Sequence, residues 1–201
     1  MKYDFVEIGT SNFDTLIEQA TDETIGLSIE PIKHYLESLP NKANVKKLNC
    51  AVSPKNCCEI LEVFYVPEQT IAEHNLPDWL RGCNSVGDYH YQHRKLDILN
   101  LVKKQHVPCY PIGDIFLEHN VTELDFLKID TEGADADIML GLYDFLSAQP
   151  ASIYPKKIVF ESNELSNPEK VAAVKTKFET LGYQVVAAGS DTTLVLGNDI
   201  T

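Results

Sequence analysis

Asp130 and Glu132 close the run 124–133, L-D-F-L-K-I-D-T-E-G, and two carboxylates one residue apart can hold a cationic group or take a proton from a hydroxyl. Phe126, Leu127 and Ile129 are apolar and strand-forming, and Gly133 permits a tight turn. Beyond it Ile138, Met139, Leu142, Phe145 and Leu146 recur at helical spacing. The two acids therefore end a buried strand, where open α/β sheets bind ligands; they would equally suit the start of the helix that follows. Three other places carry reactive side chains. Glu30 ends the apolar run from Ile25 to Ile29, Glu161 ends the run from Lys157 to Phe160, and His90 and His93 stand in the tract 89–93, Y-H-Y-Q-H. A histidine titrates near neutrality and suits a general base.

The elements that must position these groups alternate. Tyr3 to Gly9 reads as a strand that breaks at the glycine, with Ser11 or Asn12 as N-cap of a helix carrying Phe13, Leu16, Ile17 and Ala20. Such a junction offers free backbone N–H groups to a ligand. A second strand, Ile25 to Ile29, leads through Pro31 into a helix with Ile32, Tyr35, Leu36 and Leu39. Val45 to Val52 and Cys58 to Val66 are expected as the third and fourth strands. The pattern is then lost over 67–106, around Pro77, Gly82 and Gly87, and so long an irregular stretch is read as a lid or substrate loop. Val107 to Ile112 is a short strand, Gly113 to His119 a short helix, Pro168 to Leu181 an amphipathic helix, and Tyr183 to Ala188 with Thr193 to Leu196 a closing hairpin. The alternation predicts an α/β fold, doubly wound around a mostly parallel sheet, in one domain spanning 1–201.

With 201 residues, 44% hydrophobic and 23% charged, the chain has the composition of a single globular domain. Its net charge of −13 and scattered lysines argue against a nucleic-acid partner, which needs clustered basic side chains. No apolar run approaches the roughly 20 residues that cross a bilayer. Asp4 and Glu7 interrupt any signal-peptide pattern at the start, so a cytoplasmic protein without a membrane partner is expected. Cys50, Cys57, Cys58, Cys83 and Cys109 are odd in number with no C-x-x-C, which indicates free thiols. Asp130, Glu132, Asp135 and Asp137 do not follow the calcium-loop spacing, and Asp135 and Asp137 suit the first turn of a helix, so no metal is expected.

Gly9 and Glu30 stand at about the ~20-residue spacing between a glycine turn and an acid on a ribose. Both a nicotinamide dinucleotide and S-adenosylmethionine need such an acid. A lone Gly9 in place of G-x-G-x-x-G favours a ligand without a pyrophosphate, with an NAD-dependent oxidoreductase and a non-catalytic module that lost its cofactor as the rival readings. Gly9 after V-E-I, Glu30-Pro31 after G-L-S-I, Asn49-x-Ala51-Val52-Ser53 and above all D-F-L-K-I-D-T-E-G from Asp125 to Gly133 together resemble the FkbM-type methyltransferases.

The resemblance implies a Rossmann-like class I fold with a seven-stranded sheet and a C-terminal antiparallel hairpin, and S-adenosylmethionine-dependent O-methylation of natural products or glycans. By that similarity Glu7, Gly9, Ser11 and Asn12 line the methionine end of the cofactor, Glu30 binds the ribose, Ala51 with Cys50 and Val52 borders the adenine, and Asp130 lies beside the sulfonium and amino group. The tract 79–85, W-L-R-G-C-N-S, is similar to the family's W-x-x-G-x-x-S stretch. Trp79, Asn84, Tyr91 and Glu161 are accordingly expected on the acceptor, with Glu132, His90 and His93 as candidate bases. A sugar hydroxyl is the first choice of acceptor, because Trp79, Tyr89 and Tyr91 could stack on a sugar face. The chain departs from the family in following Gly9 with Thr10, Ser11, Asn12 and Phe13 in place of A-N-x-G. Helices that often precede the first strand are also missing, which implies a more open pocket or one completed by another subunit of a homo-oligomer.

Overall fold

The computed structural model describes residues 1–54 and 60–197. Strands β1 (Lys2–Ile8), β2 (Gly26–Ile29) and β3 (Val45–Leu48) come first, separated by helices α1 (Leu16–Gln19) and α2 (Lys33–Ser38). After β4 (Ala51–Ser53) and β5 (Ile60–Tyr65) come α3 (Glu68–Glu73), β6 (Ser85–Val86), α4 (Tyr91–Lys95), β7 (Lys103–Pro111) and α5 (Ile112–Glu118). The chain ends with β8 (Glu123–Ile129), α6 (Asp135–Leu146), β9 (Lys157–Glu161), α7 (Pro168–Thr180), β10 (Tyr183–Ala188) and β11 (Asp191–Leu196).

Seven strands form the main sheet in the order β10-β11-β9-β8-β1-β2-β3. All neighbours pair in parallel except β11, which runs antiparallel to both β9 and β10, as the closing hairpin requires. This is the seven-stranded, mostly parallel Rossmann-like arrangement with an antiparallel C-terminal hairpin. The chain winds outward from β1 to β3 on one side and from β8 to β9 on the other, so the crevice of the switch point opens between β1 and β8. Register makes that crevice level. Ile8 pairs with Ile29 and with Ile129, and Ile129 pairs with Phe160. The next residue of each strand, Gly9, Glu30, Asp130 and Glu161, therefore falls on one line across the sheet's carboxyl edge.

The packing that holds this edge rigid lies on both faces. Val6, Leu127, Ile129, Ile138, Met139, Leu142, Phe160, Val174 and Phe178 are buried in one cluster with α6 and α7, while Phe5, Ile17 and Leu36 form a smaller cluster on the α1 and α2 side. Each large apolar side chain buried this way contributes roughly 1.5–3 kcal/mol. Among the described residues no helix is long and apolar enough to cross a membrane.

Four expectations from the sequence need correction. The first helix starts at Leu16, with Thr15 and Glu18 forming a reciprocal cap, and not at Ser11 or Asn12. Residues 9–14 instead form a loop in which Ser11 and Asp14 take φ of 50° and 54°. Secondly, Val45 to Val52 is two strands, because the Asn49 amide donates to the carbonyls of Glu30 and Pro31 and turns the chain out of the main sheet. β4 pairs in parallel with β7, in a second sheet of order β4-β7-β5-β6. Thirdly, 67–106 is not irregular, since it holds two helices, a strand and the start of β7. Finally, β7 runs for nine residues where a short strand was expected. Cys57 and Cys58, and with them the start expected for the fourth strand, lie outside the described residues.

Candidate functional site

A cleft of about 310 Å³ opens over the β1/β8 switch point, and its floor is the row of strand tips. Gly9 takes φ +78°, and a Cβ on it would stand 1.8 Å from the Asp130 carbonyl oxygen. Only glycine lets the two central strands end so close together. Ser11, in its left-handed conformation, turns its backbone N–H to Glu30 Oε2 at 2.8 Å, and Ile32 donates its N–H to Glu30 Oε1 at 2.8 Å. Glu30 is 3% exposed, and burial pushes its carboxyl up to about 7 against the pull of those two donors, with Asp130 and Glu7 adding repulsion.

Three more acids surround the neighbouring tips. Burial raises Asp130 to about 6, opposed by Lys128 and reinforced by Asp135, Glu132 and Asp191. Burial raises Glu161 to about 8, with Glu132 and Asp135 the leading repulsions. Glu132 is held at φ 55° and followed by Gly133 at φ +105°. A glutamate in the left-handed region is uncommon, and such strain collects where a side chain must be aimed. Behind it His90, 5% exposed, accepts the Gln92 backbone N–H at Nδ1 (3.2 Å), which leaves Nε2 as the protonated nitrogen, 3.4 Å from Glu132 Oε2.

Gly82, Asn84, Ser85 and Val86, from the tract 67–106, also line the cleft. A Cβ at Gly82 would meet Phe13 Cζ at 3.2 Å and stand 3.9 Å from Glu132 Oε1, so the backbone here packs closely on the Phe13 ring. The Arg81 guanidinium lies 4.5 Å from the Phe13 ring centroid and fastens the same contact. Cys50 and Cys83 are buried beside the cleft, and burial pushes each thiol up to about 12, so neither supplies a thiolate near neutral pH.

Of the residues expected at the site, Gly9, Ser11, Glu30, Ala51, Asn84, Asp130, Glu132 and Glu161 all line this cleft. The others stand apart from its lining. Glu7 is fully buried under the sheet edge, where it accepts the Leu16 N–H at 2.9 Å and the Lys128 ammonium at 3.0 Å. Asn12 turns its amide to Glu68. His93 is fully buried behind His90, and burial and that neighbour push it down to about 4, so it is neutral. Trp79 and Tyr91 are 50% and 41% exposed on the outer surface of the lid tract. Asp135 accepts from the Thr131 hydroxyl and from the Thr131 and Gly133 N–H groups, and Asp137 pairs with Lys170 at 2.7 Å; both belong to the start of α6.

Sequence reasoning passed over Phe13, Gly82 and Lys128, which also line the cleft. Gly82 had a signal, its place in the W-x-x-G tract. Lys128 had one too, since a lysine two residues before a strand-tip aspartate lies on the same face.

The Methyltransferase FkbM domain matches residues 6–185, which takes in every strand tip of the cleft. The chain belongs to the FkbM methyltransferase family. No curated protein matches it. The acids stand at the tips of β2, β8 and β9, and the tip of β1 carries the single Gly9 in place of a glycine-rich phosphate loop.

Proposed function

We propose that this protein transfers a methyl group from S-adenosylmethionine to a hydroxyl of a sugar, a glycan or a small natural product. The observation that carries the reading is the convergence of Glu30 and Asp130 on one cleft from the tips of β2 and β8, on either side of β1. The residues fit the cofactor. Glu30 has both oxygens anchored by backbone N–H groups yet keeps lone pairs for two ribose hydroxyls. Asp130 gives a fixed negative charge for the methionine amino group or sulfonium, an attraction of about 4 kcal/mol at 4 Å and an intermediate dielectric. Ala51, Cys50 and Val52 offer a flat apolar wall to the adenine.

When bound, the cofactor supplies an electrophilic methyl on a sulfonium. The protein's share is placement, worth roughly 7–11 kcal/mol for well-aligned reactants. The acceptor enters between Glu132, Glu161 and Asn84, with its hydroxyl toward Glu132. Glu132 takes the proton, with His90 Nε2 facing it from 3.4 Å; His93 packs behind His90 and stays neutral. Trp79 and Tyr91 lie outside the cleft lining and take no part in this reading. Two measurements test the reading. Calorimetric titration with S-adenosylhomocysteine is expected to show one site per chain that Asp130→Asn weakens. A chain that binds no S-adenosylhomocysteine, yet remains folded by circular dichroism, sinks it.

A further inference from the structure

One group of acids exceeds what a methyl donor needs. Asp130, Glu132 and Glu161 each offer one oxygen to a common point, and those oxygens all lie within 4.8 Å of one another. Among the described residues no lysine or arginine is ion-paired with any of the three: Lys128 is held by Glu7 and Arg81 by Asp78. Three carboxylates drawn together without a cation repel one another, and the sheet register leaves Asp130 and Glu161 no room to separate, since they follow directly on the paired residues Ile129 and Phe160.

The surroundings point at a ligand independently of the acids. The His90 side chain is only 4% exposed, and its Nε2 has no hydrogen-bond partner although it is aimed at Glu132 from 3.4 Å. Its other nitrogen is fixed by the Gln92 N–H. A buried imidazole held in one tautomer behind a carboxylate is how proteins orient the ligands of a bound metal ion. Glu161 Oε2 is likewise buried without a partner, while Glu161 Oε1 accepts the Asn163 amide.

We infer that Asp130, Glu132 and Glu161 form a binding site for one divalent cation of the oxygen-seeking class, Mg²⁺, Mn²⁺ or Ca²⁺. Three carboxylates with no thiolate or imidazole in the set select a hard ion, and opposite ligands of such an ion lie roughly 4–5 Å apart. Since each acid contributes one oxygen, each keeps a second for other partners. The existence of the site does not depend on the methyltransferase reading, but its use does: a cation there would orient and acidify an acceptor hydroxyl at the base of the cleft.

Mn²⁺ titration followed by electron paramagnetic resonance, on the full chain without cofactor, tests it. One Mn²⁺ is expected per chain, displaced by Mg²⁺ or Ca²⁺, with affinity lowered about tenfold or more in Glu161→Gln and in His90→Ala. Circular dichroism is expected to show Glu161→Gln folded, and Glu132→Gln serves if it is not. The inference fails if the wild-type chain shows no saturable Mn²⁺ binding, or if affinity is the same in wild type, Glu161→Gln and Glu132→Gln. The two readings part cleanly. Mn²⁺ bound by a chain that ignores S-adenosylhomocysteine overturns the proposed function alone, and S-adenosylhomocysteine bound by a chain that ignores Mn²⁺ overturns the cation site alone.

Discussion

Glu30 accepts the backbone N–H of Ser11 at 2.8 Å, and through that bond the tip of β2 holds the loop that leaves β1. The family's A-N-x-G is absent after Gly9, so the loop has no second glycine to shape it. Ser11 reaches the left-handed conformation regardless, and its N–H is spent on the acid for which a ribose is proposed. Under the proposed function one carboxylate serves loop and ligand together.

Replacing that carboxylate separates the two duties. Hydrogen bonds to a charged group are worth about 1.5–3 kcal/mol, so Glu30→Gln is expected to lower S-adenosylhomocysteine affinity about tenfold or more by calorimetry. Glu30→Ala should also lower the melting temperature, because the Ser11 and Ile32 N–H groups lose their acceptor. An unchanged affinity in both variants would remove Glu30 from the cofactor site.

The pH dependence of stability should run opposite to ordinary acid denaturation at this cleft. Asp130, Glu30 and Glu161 are raised from 3.8, 4.5 and 4.5 to about 6, 7 and 8, first of all by burial. The folded chain therefore binds more protons than the unfolded one between those limits, and the stabilisation present below about pH 4 is lost as pH rises through 6 to 8. Melting temperature without ligand is expected to fall from pH 5 to pH 8, and to fall less steeply in Glu161→Gln. A profile of equal slope in the two proteins would show that the Glu161 carboxyl is not raised.

How much of this was legible in the chain follows from distance along it. Asp130 and Glu132 could be read because a strand, a glycine and a helix stand within a few residues, and Glu30 because an apolar run stops there. Glu161 could be placed at a tip but not beside Asp130, since adjacency depends on β8 pairing with β9. Glu7 was placed at the cofactor by resemblance alone, and no local pattern shows that its partner Lys128 lies 121 residues away. The division of Val45 to Val52 depends on β4 finding β7, and the order within 67–106 on β5 pairing with β6 and β7. Local pattern carries none of those pairings.

Gly9 offers a test of the floor itself. A methyl group 1.8 Å from the Asp130 carbonyl oxygen, on a residue at φ +78°, must push β1 and β8 apart. Gly9→Ala is expected to cost about 3 kcal/mol or more of stability in urea denaturation. S-adenosylhomocysteine binding should be lost with it. A fully stable Gly9→Ala protein would mean that the two tips can separate freely.

Glu132 carries the clearest case of stability given up for position. Its φ of 55° disfavours any side chain, and its carboxylate sits among Asp130 and Glu161 with only His90 facing it. Glu132→Gly relieves the backbone conformation and removes one repelling charge, against which stands the greater freedom that glycine has in the unfolded chain. The balance is expected to leave stability unchanged or raised by up to about 1 kcal/mol, as read from urea midpoints at constant slope. Methyl transfer should nevertheless fall by about 100-fold or more, the scale of a lost general base. Glu132→Gln keeps the strained backbone and the shape but not the basicity, so it should match the glycine variant in activity and the wild type, or slightly better, in stability. If Glu132→Gly unfolds well below the wild-type urea midpoint, the residue is structural, and its left-handed conformation owes nothing to catalysis.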